Sequence, residues 1–96
     1  MEGHSIEFEP VRLFDDYTET VVYPARIGKR RIRCRISMEA LSDRFGASLR
    51  SEHQSESMIE RFMANRQRIE DITRAKFRSS QLERYGSVLI RSADFI

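Results

Sequence analysis

Ile6 and Phe8 alternate with Glu7 and Glu9 in the stretch SIEFE, so one side is apolar and the other acidic. Period-two alternation predicts a short half-buried strand, and Pro10 closes it. The following VRLFDDYTET reads as a connection with a turn signal at Asp15-Asp16. A sharper pattern comes next, in YPARIGKRRIRCRI. Gly28-Lys29 separates two alternating runs and predicts a β-hairpin, with Gly28 at the first central position of a type II′ turn. Pairing Ile27 with Arg30 sets the register. Ala25 then faces Ile32, Tyr23 faces Cys34 and Val21 faces Ile36, all on one largely apolar face. On the other face Arg26 meets Arg31, Pro24 meets Arg33 and Val22 meets Arg35. A one-residue slip would bury the arginines, so the register is strongly specified.

Helical periodicity follows at once. In SMEALSDRFG, Ser37 is an N-cap, Glu39 sits in the first turn and Gly46 is the stop. The polar ASLRSEHQSE reads as a loop. Ser57 and Glu60 have capping-box spacing and open a second helix that runs to about Arg78. Met58, Ile59, Phe62, Ile69 and Ile72 form its apolar stripe. After Gly86, SVLIRSADF reads as a last strand. The order β, β-hairpin, α, α, β predicts a single α+β domain over residues 1–96. It would be a small antiparallel sheet with two helices packed on one face, leaving the arginine face open.

Composition changes this picture little. The chain has 96 residues, 33% of them charged, and a net charge of +2. No run approaches the ~18 apolar residues of a membrane span. The first residues carry acids and no apolar core, unlike a signal peptide. A single cysteine permits no internal disulfide, and a reducing cytoplasm is the expected compartment. Basic residues are nearly all arginine, whose planar fork suits carboxylate and phosphate.

The residues VVYPARIGKRRIRCRISMEALSDRFG, IERFMANRQRIEDITRAKF and GSVLIRSADF together resemble the domain-of-unknown-function 1488 family of small bacterial proteins. The resemblance rests on Gly28, Cys34, Ile36, Ser37, Glu39, Ala40, Leu41, Phe45, Phe62, Arg66, Ile69, Glu70, Gly86, Asp94 and Phe95. It covers most of the chain beyond Thr20 and supports the hairpin-plus-helices fold. It implies no activity, although some members are labelled transcriptional regulators. The outer row Arg31, Arg33 and Arg35 lies outside the family pattern.

No constellation points to catalysis. Cys34 sits between Ile32 and Ile36 and reads as a small core residue. His4 falls in a terminal segment, and His53 with Glu52 and Glu56 reads as a solvated loop rather than a metal site. Neither a metal nor another cofactor is expected. Arg66 falls on the apolar stripe, where a charge needs a partner; Glu39, Asp94 and Glu70 are the available acids. Arg26, Arg31, Arg33 and Arg35 form the remaining candidate site, an anionic-partner surface. Glu7 and Glu9 offer internal neutralisation of that row, since like charges across a ladder are mildly destabilising. The expectation is a non-enzymatic binding or regulatory module, with an acidic protein or a second copy of the chain as partner. A nucleic-acid-binding accessory or transcriptional regulator is the alternative, weakened by the lack of aromatic residues on this face.

Overall fold

The computed structural model describes residues 6–10, 12–48 and 52–95. Among the described residues, seven strands and three α-helices give an α+β fold: β1 Glu7–Phe8, β2 Leu13–Asp15, β3 Thr20–Val22, β4 Ala25–Ile27, β5 Arg30–Ile32, β6 Cys34–Ser37, α1 Met38–Phe45, α2 Gln54–Ala64, α3 Arg66–Arg78 and β7 Val88–Ile90. A short 3-10 helix, Ser92–Phe95, follows β7.

The hairpin has the expected register. Ala25 pairs with Ile32, Arg26 with Arg31 and Ile27 with Arg30. Farther along the same ribbon, Val21 pairs with Ile36 and Val22 with Arg35. The Tyr23 N–H donates to the Cys34 carbonyl at 2.9 Å, so the phase is kept across the gap between the two ladders. Gly28 has φ +58° while Lys29 does not share the left-handed region, as a type II′ turn requires. The hairpin does not stay in one sheet, however. Pro24 lacks an N–H, and its carbonyl accepts from Glu9 instead. The ribbon divides there into a three-stranded sheet, β1-β4-β5, and a four-stranded sheet, β2-β3-β6-β7.

Four expectations need correction. Residues 13–15 are a strand, not a connection: β2 pairs antiparallel with β3, and the turn lies beyond Asp15, which accepts from the Tyr17 and Thr18 amides. The sheet is not wholly antiparallel, because β7 pairs with β6 in parallel through the crossover made by all three helices. The final strand is also shorter than expected, giving way to the 3-10 helix at Ser92. Finally, the long second helix is two helices. It begins at Gln54, so Ser57 is no N-cap; its hydroxyl accepts from the Ser48 amide instead. It breaks at Asn65, whose side-chain amide donates to the Arg61 carbonyl at 2.9 Å. A side chain that bonds its own backbone competes with helix continuation.

α1 starts and stops as its sequence demands. The Ser37 hydroxyl accepts from the Ala40 amide at 3.0 Å, and Gly46 closes the helix at φ +73°. The core lies between the helices and the apolar face of the ribbon. Val21, Tyr23, Ala25, Ile32, Cys34 and Ile36 meet Ala40, Leu41, Met58, Phe62, Ile69, Val88 and Ile90 there. The rings of Tyr23 and Phe62 are 4.9 Å apart. The buried Tyr23 hydroxyl is paired with the Thr73 hydroxyl at 2.9 Å, and Thr73 donates to the Ile69 carbonyl. Among the described residues no helix is long and apolar enough to cross a membrane.

Candidate arginine-rich sheet face

With the core side of the ribbon fixed, Arg26, Arg31, Arg33 and Arg35 must point outward. They do not share one environment. Arg31 is 63% exposed and its guanidinium lies 3.1 Å from the Glu9 carboxylate. Arg33 is 56% exposed and sits 3.5 Å from Asp15. Arg35 is not on the open surface: its side chain is only 15% exposed, and one nitrogen, Nη2, donates to both Glu83 oxygens at 2.8 Å. The alternation places Arg35 on the outer face correctly, but the segment before β7 folds over it. Arg26 is exposed between its cross-strand neighbours Glu7 and Arg31, and forms no ion pair among the described residues.

Three of the four arginines are therefore neutralised from within, by acids from three separate segments of the chain. Glu9 was legible as a neighbour from the first strand's alternation. Asp15 and Glu83 were not, because β2 was read as loop and Glu83 lies far along the chain. Asp15 is held below the usual carboxylate range chiefly by the Thr18 hydroxyl, with the Tyr17 and Thr18 amides and Arg33 adding to it. For Glu83, partial burial acts upward. Hydrogen bonds from Arg35 and Ser87, with the charges of Arg35 and Arg91, outweigh it and hold the carboxyl low.

Two depressions mark this face. One, of about 410 Å³, has a mainly apolar floor of Leu13, Val22 and Pro24, with Arg31, Arg33 and Asp15 around it. Leu13 is 53% exposed. The other, of about 350 Å³, lies between β6 and the segment before β7, lined by Arg33, Arg35, Glu83, Arg84, Tyr85 and Ser87. Tyr85 is almost fully exposed, with the Arg84 guanidinium 5.6 Å from its ring centre. It supplies an aromatic ring beside the arginines that strand alternation did not reveal. A wider groove between β2 and α2 contains none of the expected site residues.

Arg66 lies apart from this face. Its Nε is 2.6 Å from Glu70, and Nη2 donates to the Glu9 carbonyl at 2.8 Å. Of the acids within reach in sequence terms, the i+4 neighbour is the partner. Asp94 instead pairs with Lys76 at 3.0 Å. Cys34 is buried, and burial pushes its thiol up to about 12. Among the described residues no group of three or more His, Cys, Asp or Glu is placed to hold a metal ion. His4 lies outside the described residues.

A family model described as "Protein of unknown function (DUF1488)" matches residues 6–90. The chain belongs to the DUF1488 family. A crystal structure of a DUF1488 protein of unknown function from Shewanella loihica superposes with a TM-score of 0.82. It is 18% identical, and the match covers 94% of this chain and 96% of that one. No curated protein matches. In this DUF1488 chain, several of the residues that carry the family resemblance meet one another. Phe45 and Phe95 form an edge-to-face pair at 5.1 Å, and Arg66 pairs with Glu70. Cys34, Ile36, Ala40, Leu41, Phe62 and Ile69 are core, while Ser37 is a cap. These roles are architectural.

Proposed function

We propose that this protein is a binding module rather than an enzyme, and that its outer sheet face docks an acidic segment of a partner protein. One observation carries the reading: an apolar floor of exposed Leu13 and half-buried Val22 and Pro24 lies directly beside Arg31 and Arg33. An apolar anchor flanked by arginines is the composition that protein interfaces favour. An apolar side chain of the partner would seat on the floor while its carboxylates take over Arg31 and Arg33 from Glu9 and Asp15. Both arginines are more than half exposed, so exchanging partners costs little. The internal pairing weighs against a nucleic-acid partner. Counterion release needs cations free to meet successive phosphates, and Arg31, Arg33 and Arg35 each already have a carboxylate, which leaves Arg26 alone unpaired in the row among the described residues.

The test is fluorescence anisotropy with a library of short peptides alternating Asp or Glu with Leu or Phe. Binding that weakens at least about tenfold in Leu13→Asp and in Arg31→Gln/Arg33→Gln supports the reading. Dimerisation in sedimentation that Leu13→Asp abolishes would make a second copy the occupant. Tight binding of single-stranded oligonucleotides, falling steeply with salt, would replace the reading by the nucleic-acid one.

A further inference from the structure

The second depression has a chemistry of its own, and the geometry points to a site for a phosphate monoester between β6 and the segment 83–87. Three guanidinium groups, from Arg33, Arg35 and Arg84, and one carboxylate, Glu83, line it. The balance is two positive charges, which matches the dianion of a phosphate monoester at neutral pH. Asp15 touches Arg33 from outside the cleft, at 3.5 Å, the longest of the row's three ion pairs. That exposed pair opens easily.

The cleft is built before any ligand arrives. Glu83 fixes Arg35 through both oxygens, and Ser87 donates to the same carboxylate at 2.8 Å. The Glu83 amide donates to the Ser87 carbonyl, and the Gly86 amide to the Glu83 carbonyl, so the segment is closed on itself. Gly86 turns it with φ +84°. Glu83 occupies only Nη2 of Arg35. The Arg35 Nε is buried and has no hydrogen-bond partner among the described residues, so Glu83 leaves the guanidinium unsaturated. Arg84 has no carboxylate partner among the described residues and lies over Tyr85. Arg33 and Arg84 line the same cleft as Arg35, and arginine forks suit phosphate oxygens. The exposed Tyr85 ring offers a stacking surface for whatever the phosphate is attached to. A single pocket of this kind differs from a track along nucleic acid, and it does not depend on the docking role of the Leu13 floor.

The experiment is titration of the full chain, at low salt, with phenyl phosphate, a phosphoserine peptide and phenylacetate, followed by amide chemical shifts. Saturable shifts at residues 84–88 with either phosphate probe support the site. The tighter of the two identifies a small ester or a modified protein as the source. Arg33→Gln/Arg84→Gln, two exposed changes that keep the fold, should weaken binding at least about tenfold, while Leu13→Ala, which adds no charge beside Arg33, leaves it unchanged. Absence of shifts at 84–88, equal binding of phenylacetate, or undiminished binding by the double variant would overturn the proposal.

Discussion

Arg31 in β5, Arg33 just after it and Arg35 in β6 alternate identically along the chain, yet they answer to different physics. Arg31 and Arg33 are solvated and their pairs are screened, so replacing both with Gln should shift the melting temperature by no more than about 3 °C. Arg35 is largely covered and holds Glu83 and the segment before β7 in place. Arg35→Gln should cost about 1–3 kcal/mol, between the values for surface and buried pairs. Denaturant unfolding measures this, and a loss below about 0.5 kcal/mol would return Arg35 to the solvent. Alternation predicts the side of a sheet on which a residue stands. It carries no information about what folds over that side, which is why Arg31 was legible and Arg35 was misread.

Cys34 shows the opposite case, where a flanking apolar pattern was enough. Its thiol is buried and its pKa is raised from 9.0 to about 12, and burial raises Tyr23 well beyond its ordinary value. Both groups stay protonated in the fold after the unfolded chain has lost those protons. Their contribution is complete below pH 9 and drains away as pH rises from about 9 toward 12. The melting temperature should fall across that window, and Cys34→Ala should flatten its first part. Native thiol labelling by a bulky maleimide should be slow. Cys34→Ser should cost about 1–3 kcal/mol by placing a hydroxyl in the apolar core.

At the scale of elements, ends were legible and interruptions were not. Ser37 and Gly46 are local chemistry, and α1 begins and stops on them. Ser37→Ala should cost about 1 kcal/mol, read as a shift in denaturant midpoint without change in slope. The break at Asn65 leaves no trace in the apolar stripe, because Phe62 and Ile69 lie two turns apart and remain in phase across it. A similar blind spot hid β2, whose residues carry no strict alternation. Arg66 stands just after the break and ties α3 to β1 through the Glu9 carbonyl as well as pairing with Glu70. Arg66→Met keeps the apolar stem but leaves half-buried Glu70 with the longer contact to Arg74, at 3.9 Å. A loss of about 1–3 kcal/mol is expected, and an unchanged melting temperature would show the tie to be idle.

At the scale of the whole molecule, the ribbon's register was readable because both its faces are specified, one apolar and one charged. The pairing of β7 was not, since strand order in a sheet is decided by long-range packing that a single chain's pattern does not encode. That parallel pairing governs how the protein is made. While a ribosome has yet to deliver Val88–Ile90, β6 keeps one row of backbone groups unpaired, and the core lacks Val88 and Ile90. The nascent chain thus carries a sticky strand edge beside exposed apolar side chains throughout synthesis of the three helices. Folding is therefore postponed until β7 has emerged, and a chaperone that shields this edge should raise the yield of native protein.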